Sequence, residues 1–207
     1  MQTKKGQSIE DASMRVIESE IGSHQYNEKE WPIVRRVIHS TADFDFAKDN
    51  AIIFHKDAIQ SGIKALKTGC SIVVDVNGVE GLLNKQNSKI FGNSIVCKIS
   101  DPEIMQQAQK ENKTRSQMAM RMAKSDIDGG IVVIGNAPTA LLEIIQMIKE
   151  NVVKPALVIG LPVGFISAAE SKEELRKIDI DFITNKGRKG GSSSAAAVVN
   201  ALYKLIK

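Results

Sequence analysis

The sequence has few aromatic residues, few cysteines and no long apolar run, and each shortage excludes a class of protein. Aromatic residues make up 4% of the 207 residues and the net charge is only +4, which argues against a nucleic-acid-binding domain with stacking platforms. Cys70 and Cys97 are too few for a disulfide framework or a metal cluster, so we expect reduced, packed thiols. No stretch is apolar for long enough to span a bilayer.

Targeting and cofactor motifs are also missing. The first residues, MQTKKGQSIEDAS, have no apolar core behind their charges, so we predict no secretory signal and a cytoplasmic protein without a membrane partner. Neither a Walker A sequence nor G-x-G-x-x-G is present, which makes a nucleotide enzyme a poor fit. The three histidines are not spaced as zinc ligands. We therefore predict neither a metal site nor a cofactor.

What is present is an ordinary globular composition, 43% apolar and 25% charged, in a chain long enough for one core. We predict a single domain over residues 1–207. Short apolar runs rich in β-branched residues alternate with helical patterns, which predicts a mostly parallel sheet covered on both faces. The predicted strands are 51–54, 71–74, 94–98, 130–134, 156–159 and 182–184.

Several helix starts are recognisable from their capping residues. Ser171 and Glu174 read as a capping box, and Asp101 and Ala137 each precede a proline suited to a first helical turn. Two helices, 8–21 and 27–39, precede the first strand, and an alanine-rich helix, 192–206, closes the chain.

Glycine-containing loops follow three of the strands, at 135–138, 160–164 and 187–191. Ligands of open parallel sheets bind beyond the carboxyl ends of the strands, and helix N-termini there offer N–H groups to anions. Each loop by itself is also explained as a simple strand terminator. Three loops converging on one edge favour a binding site.

The first two predicted helices carry the most informative side chains. Ser13 falls inside an apolar stripe of Ile9, Val16, Ile17 and Ile21, where it either serves a site or bonds back to its own helix. Arg36 and His39 share a helix face, and the guanidinium tends to depress the pKa of the imidazole. A lone histidine at a helix end is otherwise a cap or a surface group. His24 and His55 have no arginine on the same helix face, and we interpret both as structural or exposed.

Other charged residues allow two interpretations each. Arg115 opens a helix, either as an exposed first-turn residue or as a clamp for a carboxylate. Asp43 and Asp45 resemble a carboxylate pair, but their spacing favours the polar side of a strand or turn, with Phe44 and Phe46 pointing inward.

Five segments resemble the precorrin-8X methylmutase family, which includes the cobalt-precorrin-8 form. They are RRVIHSTADFD (35–45), IGNAPTAL (134–141), GLPVGF (160–165), AAESK (168–172) and GRKGGS (187–192). They span nearly the whole chain in the family's order. One departure is Gly78, where the family usually has a larger residue, often methionine, and where the pocket wall is expected to differ.

The resemblance implies a flavodoxin-like three-layer α/β/α domain that pairs as a homodimer with active sites near the interface. It implies a tetrapyrrole substrate and a methyl shift from carbon 11 to carbon 12 of the corrin precursor, giving hydrogenobyrinate or cobyrinate. His39 matches the catalytic histidine, and Ser13 and Arg36 match substrate-contacting positions. Arg115, in Thr-Arg-Ser, is carried over with them, and we add Asn136 and Arg188 from the strand-end loops.

The implied reaction consumes no electron, phosphate or methyl donor, so it needs no cofactor. An enzyme can assist by protonating a ring nitrogen and by holding the macrocycle bent through its carboxylates. Two other functions remain open: a non-catalytic corrinoid carrier, and a flavodoxin-like nucleotide-binding protein.

Overall fold

The computed structural model describes residues 3–48, 51–55 and 57–206, which fold around a six-stranded sheet. The strands are β1 (Ile52–Phe54), β2 (Ile72–Val74), β3 (Ile95–Cys97), β4 (Ile131–Ile134), β5 (Leu157–Gly160) and β6 (Phe182–Asn185). Their order across the sheet is β1-β6-β5-β4-β2-β3. Of the six described strands, β1 runs antiparallel to its neighbour β6, and the others pair in parallel.

The parallel strands reproduce the flavodoxin-like order, with the second strand of that series outside the first. All six predicted strands are present with bounds within one or two residues. The central strands β4 and β5 are buried along their whole length, which explains why they read as continuous apolar runs instead of alternating ones. The predicted fold class is confirmed.

Eleven α-helices lie in the described part of the chain. They are α1 (Lys4–Ile21), α2 (Trp31–Thr41), α3 (Ala58–Lys67), α4 (Asn77–Leu82), α5 (Lys85–Phe91), α6 (Pro102–Lys110), α7 (Arg115–Met122), α8 (Lys124–Ile127), α9 (Pro138–Lys149), α10 (Ala168–Leu175) and α11 (Ser192–Leu205). In the described residues, no helix is both long enough and apolar enough to cross a membrane.

The helices cover the two faces of the sheet as separate layers. Ile131 and Val133 face one layer, in which α3 and α11 pack on the sheet, α2 packs on α11 and α1 lies against α2. Val132 and Ile134 face the other layer, formed by α6 to α10. Because successive strand residues point to opposite faces, one strand supplies both cores.

Two of the predicted helix starts lie several residues from the observed ones. Helix α1 begins at Lys4 instead of residue 8, since Thr3 caps it by accepting from the N–H of Gly6 (3.1 Å). Helix α2 begins at Trp31 instead of residue 27, because the side chain of Asn27 accepts from the N–H of Glu30 (3.0 Å) and forms a turn before the helix.

The predicted capping box at Ser171 is wrong. Helix α10 already begins at Ala168, after Ser167 takes a left-handed conformation with φ of 60°. Ser171 lies inside the helix and donates its hydroxyl to the carbonyl of Ala168 (3.0 Å). Serine at an interior position can satisfy its hydroxyl in this way, so the local pattern did not distinguish a cap from a helical residue.

Candidate active site

Three loops meet at the carboxyl edge of the sheet, as the sequence predicted. The N–H of Gly191 donates to the carbonyl of Leu161 (2.9 Å), and the N–H of Gly164 donates to that of Arg188 (3.3 Å). These bonds join the loops after β5 and β6. The loop after β4 lies close to α11, where a Cβ on Gly135 would come within 2.9 Å of the first Cα of that helix. The crevice at this edge is where open α/β sheets bind ligands.

His39 lies in the last turn of α2, on the wall of a cavity of about 350 Å³. The helix ends there because Ala42 is left-handed (φ 53°) and its N–H bonds back to Ile38. Ser40 ties this helix end to α11, since its hydroxyl donates to the carbonyl of Ser193 (3.3 Å). The end of α2 is therefore tied to α11, and His39 is exposed beside the cavity.

The pKa of His39 lies below its ordinary value. Partial burial is the largest cause, the Arg36 guanidinium is the second, and Lys204 adds to them, while Glu10 opposes. The sequence predicted the direction and the part of Arg36, and the structure adds burial as the larger cause. An imidazole with a lowered pKa is the stronger acid once it is protonated.

Glu10, on α1, forms ion pairs with both Arg36 and Lys204 at the rim of the same cavity. The side chains of Arg36 and Glu10 are only 16% and 14% exposed. A ligand carboxylate must therefore share Arg36 with Glu10 or displace it. Sequence reasoning missed Glu10, because it lies 26 residues from Arg36 on a different helix, and such a contact leaves no local pattern.

Ser13 lies on α1, outside the cavity that holds His39. Its hydroxyl donates to the carbonyl of Ile9 (2.9 Å), which is the local alternative that the sequence left open. The apolar stripe around Ser13 is not buried as a whole, because Ile9 and Val16 are 59% and 54% exposed. Helix α1 packs on the outside of α2, so only its narrow strip around Ile17 reaches the core. A substrate contact by Ser13 stays a prediction.

Arg115 and Asn136 lie at the same sheet edge, toward the second helix layer. Arg115 is the exposed first residue of α7, behind a capping box at Thr114. The hydroxyls of Thr114 and Thr139 are 3.1 Å apart, which brings the starts of α7 and α9 together. Asn136 is exposed just before α9. Neither of these two predicted residues lines the cavity of His39. The predicted site residues therefore form two separate groups, one with His39 and one with Arg115 and Asn136.

Asp75 directly follows β2 and is fully buried. Its carboxylate accepts the N–H groups of Gly135 (3.0 Å), Asn136 (2.8 Å) and Ala137 (2.7 Å). Burial raises the pKa of Asp75, and these hydrogen bonds oppose the rise. Sequence reasoning missed this residue, although an acidic side chain immediately after an apolar strand is a detectable signal.

The position of Asp75 bears on the nucleotide-binding alternative. In this strand order the crevice between β2 and β4 is the switch point, where flavodoxin-like proteins bind a phosphate-bearing cofactor. Here the N–H groups at that point already hold a carboxylate of the protein itself. The geometry therefore disfavours a nucleotide phosphate at this place.

The loop after β6 presents Arg188 to solvent beside an exposed aromatic ring. The guanidinium carbon of Arg188 lies 5.9 Å from the ring centroid of Phe165, and Phe165 is 87% exposed. A cation and an apolar surface next to each other suit a ligand that has both carboxylates and a large apolar ring.

Asp43 and Asp45 connect this loop to the turn after α2. Both carboxylates bind the ammonium of Lys189 at 2.7 Å, and the turn contains a short 3₁₀ helix, Phe44–Phe46. The sequence predicted that the two aspartates share the polar side of a strand or turn with Phe44 and Phe46 inward. The segment is a turn, in which Phe46 is buried and Phe44 is half-buried against the core. Their partner Lys189 lies 144 residues along the chain from Asp45 and could not be read from the pattern.

Gly78, the departure from the family pattern, lies in the first turn of α4. A Cβ there would come 3.1 Å from the hydroxyl of Ser192, the first residue of α11. A larger side chain would therefore press against the start of that helix. A pocket wall that differs from the family's at this point stays a prediction.

The amino edge of the sheet holds a larger cavity, of about 970 Å³, lined by His55, Ser61 and Asp181. Both polar neighbours bind the same carboxylate: the His55 ring lies 2.8 Å from Asp181, and the Ser61 hydroxyl donates to it at 2.5 Å. His55 and Ser61 do not bind each other, as the members of a catalytic triad would. Their shared partner Asp181 directly precedes β6, and Ser61 lies on α3, so these bonds hold β6 to α3. His24 stacks on Trp31 at 3.9 Å between ring centroids. These contacts agree with the structural interpretation of both histidines.

Comparisons with known proteins agree over almost the whole chain. The profile of the family described as precorrin-8X methylmutase matches residues 8–205. A cobalt-precorrin-8 methylmutase of Priestia megaterium is 51% identical over 97% of this chain and 88% of its own length. One of Leptospira interrogans is 44% identical over 98% and 95%. The crystal structure of the precorrin-8X methylmutase of Thermus thermophilus superposes with a TM-score of 0.89, at 38% identity over 97% and 96% of the two chains.

Proposed function

Since the chain belongs to the precorrin-8X methylmutase family, we propose that it moves a methyl group from carbon 11 to carbon 12 of precorrin-8X or cobalt-precorrin-8. The product is hydrogenobyrinate or cobyrinate. The chain is an isomerase of cobalamin biosynthesis. The observation that carries the proposal is this near-complete match, with His39 on the wall of a cavity that extends along α11 from Ser193, next to the carboxyl edge of the sheet.

His39 is the general acid of this reaction. It donates a proton to a ring nitrogen of the macrocycle, which makes the conjugated system electron-poor as the bond from methyl to carbon 11 breaks and the bond to carbon 12 forms. Atoms and electrons are conserved, as in any isomerisation. Because the pKa of His39 is lowered, its protonated form is a stronger acid than an ordinary imidazolium. General acid assistance of this kind contributes about 10²–10⁴-fold.

The arginines at the edge bind the carboxylates on the periphery of the substrate. Arg36 lines the cavity of His39, while Arg115, at the start of α7, and Arg188, on the loop after β6, are exposed at the carboxyl edge of the sheet outside that cavity. The ring carboxylates that reach this region also favour the protonated form of His39, and so offset the effect of Arg36 on its pKa. Binding energy from the periphery is then available to hold the macrocycle in its reactive shape.

The protein is proposed to act as a homodimer in the cytoplasm. Ile9 and Val16 leave an exposed apolar stripe along α1, beside the cluster of Glu10 and Arg36, and such a stripe suits a symmetric contact with a second copy. Cys70 and Cys97 are free thiols, as in a reducing compartment. Light scattering at micromolar concentration should give twice 22.6 kDa, and the monomer mass alone would contradict the dimer.

Turnover decides between the enzyme and a corrinoid carrier. Purified protein at one hundredth of the precursor concentration should convert all of the precursor, followed by the visible spectrum of the macrocycle. A carrier would change the spectrum by no more than one equivalent per site. Both the metal-free and the cobalt precursor should be offered, since the sequence leaves open which one is used.

A further inference from the structure

Lys172 of α10 is completely buried, which is unusual for a lysine. Its ammonium donates to the carbonyl oxygens of Gly187 (3.0 Å) and Lys189 (2.5 Å). Burial alone lowers its pKa to about 7. Burying an ammonium group whose partners are neutral carbonyls costs free energy of folding. An apolar side chain at this position would stabilise the fold more.

None of the ion pairs recorded in the described residues joins a carboxylate to Lys172. On α10, Glu173 binds Arg176, Glu174 binds Lys177, and Glu170 is exposed at the surface. On α9, Glu143 binds Lys113 and Arg121. The strand that packs beside Lys172, β6, contains no ionisable residue. The positive charge of Lys172 is therefore balanced by peptide dipoles of the loop after β6 and not by an ion pair.

The contacts of Lys172 fix the orientation of that loop. A trans peptide group is planar, with its C=O and the following N–H pointing in opposite directions. Because the carbonyls of Gly187 and Lys189 point toward Lys172, the N–H groups of Arg188 and Gly190 point away from it. Asn185 reinforces the arrangement, since its side-chain amide also donates to the carbonyl of Lys189 (2.7 Å).

The same loop is tied to the candidate active site. The side chain of Lys189 binds Asp43 and Asp45, in the turn that follows the helix of His39. Between its two tethered carbonyls lies Arg188, whose side chain is exposed at the sheet edge. The conformation held by Lys172 therefore decides where the Arg188 guanidinium and the outward N–H groups stand relative to His39.

We propose that Lys172 is a positioning residue for substrate binding: it holds the loop 187–190 with its carbonyls inward, so that Arg188 and the loop N–H groups receive a carboxylate of the macrocycle. The proposal rests on the proposed function for the identity of the ligand. It goes beyond it in giving a buried lysine, which does not touch the substrate, a role in affinity. The positive charge beneath the loop strengthens the binding of an anion above it.

The test is Lys172→Met, which keeps the length of the side chain and removes the donors. KM should rise at least about 10-fold, the loss of a charge-assisted contact, while kcat stays within about 3-fold because His39 is untouched. The control is Lys177→Met, since Lys177 is 65% exposed and close in sequence, and its KM should not change. An unchanged KM in Lys172→Met, with wild-type turnover present, would overturn the positioning role and leave the proposed function intact.

A double-mutant cycle shows whether Lys172 acts through Arg188. If it does, Arg188→Ala should raise KM much less in the Lys172→Met background than in the wild type. Fully additive effects would mean that Lys172 acts independently of Arg188, and would overturn the proposal.

A measurement on the wild type covers the case in which Lys172→Met does not fold. Among the described lysines, Lys172 is the fully buried one, so its ¹³Cε resonance should titrate near pH 7 apart from the others. Saturation with hydrogenobyrinate, which places a carboxylate above the loop, should move this midpoint upward by at least about one unit and leave the exposed lysines unchanged. An unmoved midpoint in the presence of bound ligand would overturn the proposal. If the wild type bound no corrinoid at all, that result would contradict the proposed function itself, and with it the ligand on which the role of Lys172 depends.

Discussion

The two edges of the sheet each carry a histidine beside a cavity, but they use their polar groups differently. At the amino edge the larger cavity, about 970 Å³, contains His55 and Ser61 already bound to Asp181. Next to the carboxyl edge, and extending from there along α11, a cavity of about 350 Å³ is lined by His39 together with Arg36 and Lys204. The difference teaches that cavity size does not locate the chemistry. The site is where acidic, basic and N–H groups are held in place yet left open to a ligand.

Within the carboxyl edge, two loops are held by buried charges of opposite sign. Asp75 takes the N–H groups of the loop after β4, whereas Lys172 takes the carbonyls of the loop after β6. The first loop therefore offers little to an anion, and the second presents its N–H groups outward. Two loops that look alike in sequence are thus expected to contribute differently to carboxylate binding.

Substitution of the two histidines is expected to give the largest contrast. His39→Ala should fold and bind corrinoid but lose methyl transfer by at least about 10²-fold, because the general acid is gone. His55→Ala and His24→Ala should stay near wild-type turnover. The measurement is conversion of precursor by catalytic amounts of each variant, with hydrogenobyrinate titration as the check on binding.

Two outcomes would change this picture. Full turnover by His39→Ala would leave binding strain as the main source of rate and remove the acid role. A large loss of turnover in His55→Ala, with its thermal midpoint unchanged, would move the site to the amino edge. Loss of both binding and turnover in His39→Ala would instead point to a collapsed pocket, which circular dichroism would detect.

The arginines of the carboxyl edge should have the next largest effect. Arg36→Ala and Arg115→Ala are each expected to weaken hydrogenobyrinate binding by roughly 10–100-fold, the equivalent of a lost charge-assisted hydrogen bond. Glu10→Gln should act in the opposite direction, since it frees Arg36 from its internal partner. The control is Arg176→Ala, whose pairing with Glu173 on the surface gives it no part in binding. Unchanged affinity in both arginine variants would remove them from the site.

The sequence allowed the strands, the converging loops and the face shared by Arg36 and His39 to be predicted, because these depend on local periodicity and spacing. It did not reveal Glu10, Asp75 or Lys172, whose roles come from contacts made across the fold. Local patterns also misled where a residue type has two uses: Ser171 reads as a cap but lies inside α10. The parts of the site that position other groups were therefore the least predictable.

The pH dependence of the reaction should show a smaller effect with a definite sign. Burial and Arg36 lower the pKa of His39, so in the free enzyme the protonated acid accumulates only below the ordinary histidine value of about 6.5. We expect kcat/KM to rise by at least about 10-fold as the pH falls from 8 toward 6, because the protonated fraction of His39 rises by at least that much. In Arg36→Ala this limb should move to higher pH. A profile that is flat over this range, or that rises with pH, would contradict His39 as the acid.

The smallest effect on activity is expected at Asp181, whose substitution tests whether the amino edge serves only the fold. Asp181 accepts from both His55 and Ser61 and is 22% exposed, so Asp181→Ala leaves two polar groups without their partner. The free energy of unfolding should fall by about 1–3 kcal/mol, measured in urea. Asp179→Ala, at a fully exposed position two residues away, should leave stability unchanged.

Turnover of the folded protein should match the wild type in both variants, because neither residue approaches the cavity of His39. A fall in kcat or a rise in KM for Asp181→Ala alone would mean that the two edges communicate, and that the contrast between them is incomplete.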